Sequence, residues 1–162
     1  MPMLYVRKNK IANIWPMMGA PDAMRENIRK FEEIGTHPAS QRNAITEALN
    51  FSESIGLERK AERLRYLRRR WSDRLRQLPG VKILNSDDSE QSCGIGFVSV
   101  EGISAPKLAS HLWQKYRIWT TAVVTPNEYE GLRITPNVYT TLEEIDTFTD
   151  VMSGIIRRGS LV

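Results

Sequence analysis

Gly35 and Thr36 stand in the run FEEIGTHPAS, just ahead of a proline placed for a first helical turn. A hydroxyl beside the free N–H groups of a helix start serves either as an N-cap or as a seat for an anion, and the local sequence leaves both open. His37 follows directly and would assist an anion there. The densest positive charge lies in the stretch from Glu58 to Arg76, opposed only by Glu58, Glu62 and Asp73. Such a run is either a solvated helix face, with Arg stems lying over apolar neighbours, or a surface for an acidic partner such as nucleic acid. Cys93 is the single cysteine, so it makes no internal disulfide and, with no Cys/His spacing near it, no structural zinc site. It reads as a small packing residue rather than a nucleophile. His37 and His111 are far apart and poor in carboxylate or thiol neighbours, so no metal site is expected and no catalytic residue is assigned.

At 162 residues and 18.6 kDa the chain has room for one ordinary domain or a small domain with an arm, and not for two full domains. A content of 41% hydrophobic and 26% charged residues is that of a globular chain with a packed core. Lys and Arg outnumber Asp and Glu 23 to 19, a mild excess that is weak evidence for nucleic acid. No apolar run approaches the roughly 20 residues of a membrane helix, and MPMLYVRKNK has no apolar signal core. The expectation is a cytoplasmic protein in a reducing compartment, with no membrane contact.

The elements that must hold these residues are legible from periodicity. A helix is expected over 38–54, and Gly56 sits where a left-handed residue would close it. Leu57, Ala61, Leu64, Leu67, Trp71, Leu75 and Leu78 recur at three- and four-residue steps, so a second helix starts at once and stops at LPG, 78–80. VKIL at 81–84 and GIGFVSV at 94–100 read as strands around a polar loop. Ser104 is placed to cap a helix using Leu108, Leu112, Trp113 and Tyr116; RIWTTAVV at 117–124 and GLRIT at 131–135 return to strand. Thr140 or Thr141, with Glu143 and Glu144, opens a last helix carrying Leu142, Ile145, Phe148, Met152 and Ile155. The order from residue 57 is αββαββα, an α+β fold of helices on a mainly antiparallel sheet. LYVR at 4–7 reads as a strand without a sequence-adjacent partner, and IWPMMGAPDAM is apolar and broken by proline. The opening of the chain therefore reads like the middle of something larger.

LYVRKNKIANIWP at 4–16, KFEEIGTHPAS at 30–40, IGLERKAERLRYLRRRW at 55–71 and RITPNVYTTLEEID at 133–146 together resemble, in the same order, the later part of class V aminotransferases. These are fold-type I enzymes that use pyridoxal 5'-phosphate (PLP) and include isopenicillin N epimerase and the cysteine desulfurases. The resemblance implies a tail of the large cofactor-binding domain over 1–37, a connecting helix over 38–56 and the small C-terminal domain over 57–162. It implies that Gly35 and Thr36 reach the phosphate of the neighbouring subunit's PLP in a homodimer, and that Arg133 grips the substrate's α-carboxylate. A planar two-pronged guanidinium suits that group better than an ammonium.

In the family the Schiff-base lysine follows a Ser or Asp, x, His context that none of Lys8, Lys10, Lys30, Lys60, Lys82, Lys107 and Lys115 shares. PLP chemistry needs that amine, and a carboxylate at the pyridine nitrogen. The resemblance therefore implies a part of an amino-acid transaminase, epimerase or lyase. That part would be inactive alone, would bind PLP without a covalent link, and would depend on another segment or chain for the large domain. The desulfurases carry a thiol on a loop after a strand like RIWTTAVV, where this chain has Thr120, Thr121 and Ala122, so sulfur or selenium abstraction is disfavoured; their Tyr-Asn-Thr is Tyr139, Thr140 and Thr141 here, so the role of that Asn does not carry over. The alternative reading is a non-catalytic binding or oligomerisation module using the basic helix over 58–76.

Overall fold

The computed structural model describes residues 4–36 and 38–161. It divides into two compact units, Met1–Ser54 and Ile55–Val162.

In the first unit, single 3₁₀ turns at Lys8–Asn13, Asp22–Met24 and Ile28–Glu32 lead to helix α1, Ala39–Ile55. Residues 4–7, expected as a strand, join no ladder. An extended segment without a partner leaves its backbone groups to water, and among the described residues of this unit there is no strand to receive it. Burial is sparse here. Ile11 is the only apolar side chain of the unit in the described core, whereas Trp15 is 92% and Met17 88% exposed. Lys30 closes the turns internally, its Nζ donating to the carbonyls of Ile11 and Arg25 while it is itself 4% exposed.

The second unit follows the expected αββαββα order: α2 (Leu57–Leu75), β1 (Val81–Ile83), β2 (Gly96–Val100), α3 (Ala105–Tyr116), β3 (Thr121–Thr125), β4 (Tyr129–Ile134) and α4 (Leu142–Arg158). Gly56 separates α1 from α2 with φ of 87°, a conformation open to glycine at little cost. The strands lie in the order β1-β2-β4-β3 and every pair is antiparallel. The register aligns Val98 with Leu132, and Leu132 with Ala122. Because side chains alternate along a strand, Val98, Val100, Leu132 and Ile134 share one face, where they join the core with Leu67, Trp71, Leu112, Phe148 and Met152 of the helices. Phe97, Ser99, Gly131, Arg133, Thr121 and Val123 project from the opposite face, away from the helices of this unit.

β1 stops at Ile83, one residue before the expected end, and two strands start later than expected. β2 begins at Gly96 and not Gly94, because Gly94 lies against Leu64, where a Cβ would stand 2.8 Å from the leucine's own Cβ. β3 begins at Thr121 because the preceding residues close α3: Arg117 is left-handed at φ 58° and the Ile118 N–H donates to the Leu112 carbonyl at 3.1 Å. Ser104 makes no capping hydrogen bond, and the carboxylate of Glu130 accepts from the Ala105 N–H instead, at 2.6 Å. α4 starts with the capping box that its sequence indicates, between Thr141 and Glu144.

The arginines of α2 are largely occupied inside this unit. Arg68, 2% exposed, donates to the Ser86 carbonyl at 3.1 Å and to Ser92 Oγ at 2.6 Å. Arg76 grips Asp87 with two hydrogen bonds of 2.7 and 2.9 Å. Arg70 holds Asp146 of α4 at 2.6 and 2.8 Å, and Arg74 reaches Asp146 and Asp150. The helix is basic because it fastens both the 86–92 loop and α4. No helix in the described residues is long and apolar enough to cross a membrane.

Trp71 packs directly against Gly96, where a Cβ would stand 2.1 Å from the indole Cζ2. Gly96→Ala is expected to cost about 1–3 kcal/mol through overpacking, read from the denaturant midpoint, while Ser99→Ala on the other face leaves it nearly unchanged. The hydrogen bond from Arg70 holds the Asp146 carboxyl below its ordinary pKa, with the guanidinium charge adding to it. A carboxyl depressed in the folded state stabilises above its unfolded pKa, and that contribution fades as pH falls through the folded one. The melting-temperature gap between the wild type and Asp146→Asn should therefore be full at neutral pH and close in acid below the ordinary aspartate range.

Candidate functional site

Arg133 occupies the middle of the helix-free sheet face. The antiparallel register sets Phe97 of β2 on one side of it and Thr121 of β3 on the other. The side chain is exposed, and among the described residues no hydrogen bond or ion pair engages its guanidinium. Lys82 is the other ionic side chain at a strand position of this face, and no strand position on it carries a carboxylate. An exposed strand arginine ordinarily finds a surface acid, and this one has none within its sheet. Two residues toward the start of β4, Gly131 leaves a gap filled by the ring of Phe97, which stacks edge-on against Tyr129 with centroids 5.5 Å apart.

In the first unit, Gly35 is left-handed at φ 89° and a Cβ there would meet nothing within 4 Å. Thr36 is exposed, and α1 begins at Ala39, so hydroxyl and helix start adjoin in sequence as expected. Open space at a positive-φ glycine beside a helix N-terminus suits an anionic group approaching the backbone. His37 lies outside the described residues.

The remaining chemistry-bearing residues are accounted for by packing. Cys93 is half-buried with Sγ 3.7 Å from the Ala61 carbonyl. His111 is partly buried and meets the Tyr116 ring edge-on at 5.8 Å. Among the described residues no group of three His, Cys, Asp or Glu side chains is placed to hold a metal. Thr140 Oγ1 accepts from the Asn137 N–H at 2.9 Å, closing a turn that leaves Tyr139 79% exposed, and Arg63 donates to the Thr140 carbonyl at 3.1 Å. Lys8, Lys10, Lys82, Lys107 and Lys115 are surface side chains.

Residues 3–148 match the family model described as aminotransferase class-V. The chain belongs to the class-V aminotransferase family. Isopenicillin N epimerase from Streptomyces clavuligerus is 30% identical over 151 residues, which are 86% of this chain and 37% of that protein. The apo cysteine desulfurase from Thermococcus onnurineus NA1 superposes with a TM-score of 0.70 at 21% identity, covering 80% of this chain and 34% of that one. The cystine C–S lyase C-DES, in complex with cysteine persulfide, superposes at 0.62 and 21% identity over 76% of this chain and 32% of its own. A C-DES mutant with glycine covalently linked to its PLP cofactor gives 0.61 at 20% identity, over 76% and 31%. At such identities the structural likeness is one of fold. The chain spans about a third of the length of the relatives it matches.

The setting of Arg133 was not anticipated from sequence. The signal was present in Gly131, since a glycine inside a strand marks a place where another group approaches closely. Arginines of this unit should separate by role in a thermal melt. Arg133→Ala is expected to stay within about 0.5 kcal/mol of wild type, whereas the buried Arg68→Ala loses about 1.5–3 kcal/mol with its loop contacts.

Proposed function

We propose that this chain forms the substrate-gripping and phosphate-contacting part of a PLP-dependent enzyme that transaminates, epimerises or cleaves an amino acid. The observation that carries the reading is Arg133: a guanidinium free of ion pairs among the described residues, on a sheet face without a strand carboxylate, in a chain similar to an isopenicillin N epimerase and a cystine C–S lyase. Its two parallel N–H donors would hold the substrate's α-carboxylate and orient the carbon next to it. Gly35 and Thr36 would hold the phosphate of PLP in the neighbouring subunit of a homodimer, through the backbone and the hydroxyl. When bound, PLP supplies an electron sink.

The residues present fit that group at its phosphate end and not at its amine end. Lys30 is buried with Nζ committed to two carbonyls, and Lys8, Lys10, Lys82, Lys107 and Lys115 are exposed. The amine, and the carboxylate for the pyridine nitrogen, would come from residues outside these 162, in the same polypeptide or another chain. On this reading residues 1–37 are the tail of the large domain, 38–56 the connecting helix and 57–162 the small domain. The exposed Trp15 and Met17 would then cover large-domain surface, and the chain alone would be inactive in the cytoplasm.

The second reading, a binding module using the 58–76 helix, needs those cations available. Arg63, Arg65, Arg68, Arg70, Arg74 and Arg76 all bond within the second unit, which favours the enzymatic reading. After incubation with PLP and dialysis, this chain alone should retain no visible absorption band. Co-expression with a lysine-bearing large domain of the family should produce one. A dialysis-resistant band on the chain alone would overturn the claim that the amine lies elsewhere.

A further inference from the structure

Arg133 does not stand alone on its face. Residues 129, 131 and 133 of β4 project to the same side, and two strand residues span about 7 Å. At the middle position, Gly131 has no side chain, and the ring of Phe97 occupies that space: a Cβ on Gly131 would stand 2.6 Å from the ring's Cε1 and 2.5 Å from the Val98 carbonyl. Tyr129 meets that ring edge-on, with the two planes at 87°, and remains 42% exposed. The Phe97 ring, from the strand paired with β4, thus lies about two strand residues along the face from Arg133, and Tyr129 stands beyond it at four residues, about 14 Å along the strand. The other neighbour of Arg133 is Thr121, a hydroxyl rather than a ring. The strand positions of this face supply two cations, Arg133 and Lys82, and no anion, while Glu101 and Glu128 line the concavity that Lys82 shares with Tyr129.

From this juxtaposition we infer that Phe97 and Tyr129 are specificity-determining residues. They form an apolar wall for the side chain of a substrate whose carboxylate is held by Arg133, and they select amino acids with an aromatic or large apolar side chain over short ones. This rests on the carboxylate role proposed for Arg133 and adds the class of side chain. Gly131 is what makes the wall possible, because any larger residue would push the Phe97 ring off the strand. The energetic basis is ordinary: an aryl group gains by leaving water and by edge-to-face contact with a second ring.

The test uses the full chain and two simple carboxylates, propionate and 3-phenylpropionate, titrated by isothermal calorimetry and by chemical shifts of the Phe97 and Tyr129 rings. Wild type should bind 3-phenylpropionate about ten-fold or more tightly than propionate. Arg133→Ala should lose both ligands. Phe97→Ala, and Tyr129→Ala as a second variant at a more exposed position, should reduce 3-phenylpropionate to the affinity of propionate while leaving propionate unchanged. Equal binding of the two acids by wild type, or an unchanged ratio in both aromatic variants, overturns the wall and leaves the carboxylate role of Arg133 standing. Binding of both acids that survives Arg133→Ala, or no binding of either by wild type, overturns the carboxylate role itself.

Discussion

The second unit depends on one close approach, that of Trp71 to Gly96. The indole can lie directly on the sheet because the strand offers no Cβ there, and α2 is thereby held at a single depth against β2. With α2 seated, α4 packs beside it through Phe148, whose ring meets Trp71 edge-on at 5.9 Å. All three helices then crowd one face of the sheet and leave the other to polar and aromatic side chains. The position of Arg133 is a consequence of that asymmetry. A sheet covered on both faces would have no place for an unpaired guanidinium.

The charge of α2 serves the same architecture. Arg65, Arg68, Arg70 and Arg74 end on acids and polar oxygens of the 86–92 loop and of α4, so much of the positive charge of this helix behaves as a fastening. Arg70 and Arg74 share Asp146, and Arg76 takes both oxygens of Asp87. Exposed pairs of this kind contribute little each. The buried Arg68, which ties Ser86 and Ser92 together, is the costlier one to lose. Arg133 differs from these in having no hydrogen-bond or ion-pair partner among the described residues, which is the observation behind the carboxylate role proposed for it.

The first unit is physically different. Its described residues form single turns and one long helix around very little core, with large apolar side chains facing water. Exposed apolar surface of that extent is costly unless another surface covers it. This agrees with the proposal that 1–37 belongs to a larger domain and with the match of the chain to about a third of its relatives.

The element order of the second unit was written in local patterns: the apolar stripe of α2, the Thr141–Glu144 box, the β-branched runs of the strands. The family resemblance of the runs at 30–40 and 133–146 was legible too, because their residue types keep a family order that local pairing does not disturb. Strand ends were not legible where long-range contacts decide them. Leu64 sets the start of β2 by packing on Gly94, and the left-handed turn at Arg117 uses up residues that would otherwise extend β3. LYVR has strand composition, yet composition supplies no partner. Sequence by itself determined which residues carry charge, ring or hydroxyl, and the periods that sort them into helix and strand. Only the tertiary structure decided that Phe97, Arg133 and Thr121 stand in one row, because they come from three strands and meet through a register of backbone hydrogen bonds that no local pattern encodes.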